Sequence, residues 1–157
     1  MKKYLKFSLP LLMSVGLVAN AQNAKAPETS KALYTATLGE NGYKNGSRVS
    51  VNKLDSLLAL PIYLTDTAGN TYLSEGYEFL YAERGAYEDS TGKPVILTDY
   101  LSINVFGSTI PVFFADEIRT LYKAGDTLIY GHIMGKKLGA EKPETITSTP
   151  IKIVITR

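Results

Sequence analysis

The sequence predicts an all-β fold: an immunoglobulin-like antiparallel β-sandwich carrying two short helices. Three observations lead to it. Eight runs of four to twelve residues are rich in β-branched and aromatic side chains, a composition that suits a pleated, half-buried surface. The clearest runs alternate with period two: Tyr77, Phe79 and Tyr81 share one face while Glu78, Leu80 and Ala82 share the other, and Ile151, Ile153 and Ile155 oppose Lys152, Val154 and Thr156. Between the runs lie Gly39-Glu40-Asn41-Gly42, Asn45-Gly46, Ala68-Gly69-Asn70, Ser90-Thr91-Gly92 and Ala124-Gly125-Asp126. These residues accept positive φ or bond their own backbone, and such frequent punctuation marks a sandwich.

From the N-terminus, residues 1–21 are expected to form a cleavable signal peptide. Lys2, Lys3 and Lys6 make a positive start, residues 7–18 an apolar run, and Ala19-Asn20-Ala21 places small residues around a cut before Gln22. The apolar run falls well short of the roughly 20 residues a membrane-crossing helix needs, and Pro10 interrupts it. No cysteine follows the small residues, so the lipid-modified cysteine of a lipoprotein is not expected and the product should be free. Residues 22–31 are polar, contain Pro27 and show no apolar period, the pattern of a disordered spacer.

The domain is expected over residues 32–157, with strands at 34–38, 48–51, 60–65, 71–82, 95–98, 101–106, 127–134 and 151–156. Two segments follow helical spacing instead. Asn52 is placed to cap a turn in which Leu54, Leu57 and Leu58 recur on one side before Pro61 stops it. A second helix is expected over residues 115–123: Ile118, Leu121 and Tyr122 share a side, Asp116 and Glu117 favour the dipole of the first turn, and Gly125 lies just past the end. Both are too short to be stable alone and must dock on a sheet.

Composition narrows the function. Removing the leader takes three lysines from the net charge of +2, leaving about −1 and about 135 residues, which suits one domain. A chain of that size buries enough surface to fold without staples. The chain has no Cys, which excludes disulfides, thiolate metal sites and cysteine nucleophiles. Near-neutral charge argues against nucleic acid, and the Lys136-Lys137 pair is too small a basic patch to change that.

Catalytic groups are sparse. His132 is the only histidine, in a strand where it is expected on the same face as Tyr130 and Met134. No nucleophile motif of the Gly-x-Ser-x-Gly kind accompanies it, and one His without thiolates does not make a zinc site. Glu88-Asp89 and Asp116-Glu117 are the adjacent acidic pairs; the first reads as a polar turn and the second as a helix start. No EF-hand spacing, P-loop or dinucleotide fingerprint is present. A non-enzyme with no cofactor and no metal is expected.

One resemblance comes from the order of motifs. A short helix at Val51-Asn52-Lys53-Leu54-Asp55-Ser56-Leu57 precedes the aromatic strand Gly76-Tyr77-Glu78-Phe79. Then Phe113-Phe114-Ala115-Asp116-Glu117-Ile118-Arg119-Thr120-Leu121 leads into Lys123-Ala124-Gly125-Asp126-Thr127-Leu128-Ile129-Tyr130, and Thr149-Pro150-Ile151-Lys152-Ile153 closes the chain. This order resembles the C-terminal domain of the GldM (PorM) gliding-motility and type IX secretion proteins of Bacteroidetes, over about residues 49–155. Proteins of that family carry a membrane helix and several periplasmic domains, whereas here a leader precedes one unit, so the resemblance implies only the distal, partner-contacting module. Residues 135–149 also lack the Asp-Gly expected there and read Lys-Lys-Leu-Gly-Ala-Glu-Lys-Pro. Independently of the resemblance, Gly125 and Asp126 suit an abrupt helix stop followed by a reversal, which makes Asp126 structural.

The expected function is therefore that of an exported, non-catalytic protein–protein interaction module, periplasmic or secreted, with an envelope protein as partner. No sorting domain is expected after the last strand, which favours the periplasm. Alternatives are a small-ligand or carbohydrate-binding sandwich and a small envelope hydrolase. Tyr72, Tyr77 and Tyr81 lie in or beside one long strand and are the candidate binding residues, as rings with polar tips. The lack of Trp ranks sugar below protein as their partner.

Overall fold

The computed structural model describes residues 34–40, 42–138 and 143–157. The expected leader (1–21) and spacer (22–31) lie outside the described residues. The elements run β1 (Thr35–Leu38), β2 (Arg48–Ser50), a 3-10 turn (Val51–Lys53) passing into α1 (Leu54–Leu58), β3 (Ile62–Thr65), β4 (Thr71–Glu88), β5 (Pro94–Phe106), α2 (Val112–Leu121), β6 (Thr127–Lys137), β7 (Glu144–Thr147) and β8 (Ile151–Thr156). The protein is mostly β, with two short helices and a curled mixed sheet.

The sheet order is β1-β3-β4-β6-β8-β2, with β5 added to β4 and β7 to β6. Among the described residues, the strand-to-strand pairings are antiparallel except β2 with β8, which runs parallel from Arg48 opposite Val154 to Ser50 opposite Thr156. The purely antiparallel expectation is thus corrected at one edge. The chain reaches that edge through a loop in which Gly46 N–H bonds Lys152 C=O and Asn45 Oδ1 accepts from Lys152 N–H, which sets β2 alongside β8 in the same direction.

Two bulges curl the sheet. Between β4 and β6 the register gains one residue on β4 between Ser74 and Gly76, and one on β6 between Gly131 and Met134. His132 sits in the second with φ +48, and an extra residue of this kind bends its strand and sharpens the twist. Beyond the bulges β4 pairs with β3 and β6 with β7. The curl goes far enough that Ser148, after β7, bridges Tyr34 ahead of β1.

The alternation read from the sequence sets the core. Tyr77, Phe79 and Tyr81 all point inward, as do Ile151, Ile153 and Ile155. Leu54, Leu57 and Leu58 of α1 and Ile118 of α2 complete the same cluster. Phe79 meets Phe114 of α2 edge-on at 5.9 Å and Tyr130 at 5.0 Å, geometries that add to the area the rings bury. Each fully buried large side chain contributes about 1.5–3 kcal/mol.

Several boundaries differ from expectation. Helix α2 starts at Val112 rather than 115, with Pro111 as its N-cap and the Pro111 carbonyl accepting from the Phe114 and Ala115 amides. Asn52 is not a cap: Ser50 precedes the 3-10 turn and Lys53 precedes α1, and neither makes a side-chain cap bond. Residues 95–98 and 101–106 belong to one strand, β5, which runs through Asp99 and Tyr100. Strand β4 continues past 82 to Glu88, and β7 forms where a loop was expected.

Candidate functional site

The 18 residues of β4 lie in two different settings. From Ser74 to Ala82 it pairs with β6 on one edge and, from Gly76, with β5 on the other. From Glu83 onward its only strand partner among the described residues is β5, so residues 83–99 form a two-stranded arm standing beyond the sheet. The arm is fastened at its root by Asp126. This carboxylate is fully buried and accepts hydrogen bonds from Tyr81 Oη at 2.5 Å, Arg84 N–H at 2.9 Å and Lys123 N–H at 2.8 Å. Gly125, at φ +103, makes the reversal that brings it there. The Lys123 ammonium also pairs with Glu83, which raises its pKa above the ordinary value.

Outside the root, the arm closes on itself. Tyr87 Oη donates to Asp99 Oδ2 at 2.9 Å, laying the ring across Gly85. A Cβ at residue 85 would come within 2.5 Å of that ring, so only glycine admits the contact. At the tip, Asp89 Oδ1 accepts from Thr91 N–H, Thr91 Oγ1 and Lys93 N–H. The Thr91 hydroxyl and the two amides hold the Asp89 carboxyl below its ordinary pKa.

The outer edge of β5 is open: among the described residues, β4 is its only strand partner. Two backbone bonds fix which groups face out. Gly107 N–H bonds Glu75 C=O beyond one end of β5, and Asp89 N–H bonds Lys93 C=O beyond the other. Both continue the register of the β4–β5 ladder, so its narrow, bonded pairs fall on odd positions of β5. By alternation, Ile96, Thr98, Tyr100, Ser102, Asn104 and Phe106 turn N–H and C=O outward. Pro94, which has no N–H, also falls on an outward position, where it costs no ladder bond.

This edge is long, apolar and almost uncharged. Ile96 is 56% exposed, Leu97 50%, Tyr100 62% and Phe106 94%. Among the 13 residues of β5 only Asp99 is charged. By contrast, β4 within the arm carries Glu83, Arg84 and Glu88 over six residues. The β2 edge is only three residues long. Proteins commonly blunt strand edges with charge or brevity; β5 uses neither.

A second feature lies where the bulges meet. Glu78, Asn104, Phe106, His132 and Met134 line an open groove of about 480 Å³ on the solvent side of the sheet. His132 Nδ1 lies 2.9 Å from Glu78 Oε2. The bulge reverses the expected placement of this histidine: Tyr130 faces the core, whereas His132 and Met134 face solvent. Among the described residues, no group of three or more His, Cys, Asp or Glu side chains is placed to hold a metal ion, and no helix is long and apolar enough to cross a membrane.

Of the tyrosines singled out in the sequence, Tyr77 and Tyr81 are core residues and Tyr72 is half-buried, edge-on to Tyr34 at 6.2 Å. They form no common exposed face. Burial pushes the phenols of Tyr77, Tyr81 and Tyr130 up, with the Asp126 hydrogen bond adding to the effect at Tyr81. Tyr77 and Tyr130 keep their hydroxyls buried without a hydrogen-bond partner among the described residues. The residues with the stronger surface signal are Ile96, Leu97 and Tyr100. Their sequence signature is an apolar, β-prone run directly after the turn Ser90-Thr91-Gly92.

The chain matches no protein-family model, no curated protein and no solved structure.

Proposed function

We propose that the chain is an exported, non-catalytic protein–protein interaction module that receives an extended segment of a partner on the outer edge of β5. One observation carries this reading: a 13-residue strand with a single charge offers a row of outward N–H and C=O groups bordered by Ile96, Leu97 and Tyr100. Strand addition of this kind takes its affinity from main-chain bonds and its specificity from alternate side chains. The cleavable leader expected from Lys2, Lys3, Lys6 and Ala19-Asn20-Ala21 supports a periplasmic or secreted site of action. The motif order resembling the GldM (PorM) C-terminal domain supports a partner in the envelope secretion and gliding machinery. An immunoglobulin-like sandwich belongs to the same proposal, supported by the single apolar cluster that joins Leu38 and Leu64 to Phe79 and Tyr130.

In-cell crosslinking followed by mass spectrometry tests the reading. The wild-type chain should enrich an envelope protein, a second copy of this chain included, and Thr98→Pro or Ile96→Lys should lose it, since both alter outward positions that bond nothing in β4. Failure to enrich any envelope protein, or enrichment unchanged by both variants, would overturn it.

A second reading, a small-ligand site, is favoured by the groove at Phe106 and Met134 with the His132–Glu78 pair at its side. Titration with a panel of sugars and small apolar ligands, followed by NMR, would support it by saturable shifts at His132 and Met134. Unmoved signals there would dismiss it.

A further inference from the structure

We infer that the strand taken up by β5 is β5 of a second copy of this chain, paired antiparallel about a two-fold axis at Ile96. The inference rests on the strand-addition reading above and names its partner. A two-stranded ribbon by itself is marginally stable in water, and three or more strands sharing an apolar face are needed for independent stability. The arm of residues 83–99 is such a ribbon, and it carries exposed Tyr87, Val95, Ile96 and Leu97. A second arm laid beside the first makes four strands in the order β4-β5-β5-β4 and leaves no open β5 edge where the arms overlap.

The register follows from parity and charge. Only outward-pointing positions bond across this edge, so even-numbered residues of one β5 pair with even-numbered residues of the other, and the match of Lys93 with Asp99 then selects the centre. Centred on Ile96, the pairing sets Ile96 against its copy and Val95 against Leu97. Pro94, which lacks an N–H, then meets Thr98, which can still donate to the Pro94 carbonyl. Lys93 of each chain falls opposite Asp99 of the other, giving two symmetric ion pairs that bracket the apolar centre. Moving the axis to Thr98 places Lys93 against Ile103, and moving it to Tyr100 places Asp99 against Leu101. In both cases the charge match is lost. The overlap centred on Ile96 spans residues 93–99, the β5 side of the arm that projects beyond the sheet.

The absence of cysteine makes the test direct. Sedimentation equilibrium of the mature chain should give twice the single-chain mass. Lys93→Glu and Asp99→Lys should each weaken the dimer at least tenfold, and the double exchange K93E/D99K should restore it. Unchanged circular dichroism of the single variants shows that they are folded. Under mild oxidation Ile96→Cys should link the two chains, whereas Tyr100→Cys should not; residues paired across a two-fold lie within disulfide range. Linkage at Tyr100 instead of Ile96, or no restoration by the double exchange, overturns this register. A monomer at every concentration overturns self-pairing. If Ile96→Lys then still abolishes envelope crosslinks, the strand-addition reading survives; if it leaves them unchanged, both fall.

Discussion

The same two strands, β4 and β5, build both the best-protected and the least-protected parts of this protein. At Phe79 and Tyr81, β4 has β5 on one edge and β6 on the other, and both side chains are fully buried. A few residues further on, β6 has ended, Tyr87 and Leu97 are exposed and the pair stands alone. The β4 half of the arm is more polar, while its β5 half keeps an apolar run, Val95, Ile96 and Leu97. What changes for that run is the number of neighbours available to cover it, and burial rather than composition supplies the stability.

The largest expected effect breaks the joint between these regions. Asp126→Ala strips the Tyr81 hydroxyl and the Arg84 and Lys123 amides of their acceptor. The cost should be about 3 kcal/mol or more, because each buried donor left unpaired forfeits its desolvation. Urea unfolding checks it; a loss below about 1 kcal/mol would mean that Asp126 does not hold the arm root to the body.

Next is alkaline sensitivity of the body. The buried phenols of Tyr77, Tyr81 and Tyr130 are raised above the ordinary value of 10.0. Folding therefore favours their protonated forms, and this contribution is complete below the unfolded value and is lost as pH rises through the folded ones. Melts followed by circular dichroism should be level up to about pH 10 and fall steeply above it. A melting temperature independent of pH well beyond that point would contradict the packing described.

A smaller effect of opposite sign is expected at Tyr130→Phe. The hydroxyl is buried without a partner among the described residues, so removing it should leave stability within about 1 kcal/mol of wild type, on the stabilising side. A loss of about 2 kcal/mol in urea unfolding would show that the hydroxyl does bond within the folded body.

Smallest of all should be removal of the arm. Replacing residues 86–96 by Asn-Gly joins Gly85 to Leu97, already a bonded cross-strand pair, through a turn suited to hairpins. The melting temperature of the body should stay within about 2 °C of wild type at matched low concentration. A drop of about 10 °C would show that the arm belongs to the cooperative core.

Much of the body was legible in the sequence because its signals are local. Alternation in Tyr77, Phe79 and Tyr81, the leucines of α1 and the Gly125-Asp126 reversal each carry a period or a turn chemistry. The interruption expected at Asp99-Tyr100 failed because aspartate is disfavoured in strands on average, yet here its carboxylate accepts from Tyr87. His132 was placed rightly with Met134 but wrongly with Tyr130, because a bulge shifts the period by one residue and nothing local announces it. The arm was invisible for a different reason: a period-two pattern shows which side chains share a face but not whether any neighbouring strand lies beside them.

The central claim is that the outer edge of β5 is a pairing surface, and hydrogen exchange resolved by NMR tests it most directly. In dilute solution the amides of Leu97, Asp99 and Leu101, which bond β4, should exchange slowly while those of Ile96, Thr98 and Tyr100 exchange freely. Raising the concentration or adding the partner should protect Ile96 and Thr98 and remove the alternation. If these outward amides exchange equally fast under all conditions, β5 pairs with nothing and the account fails.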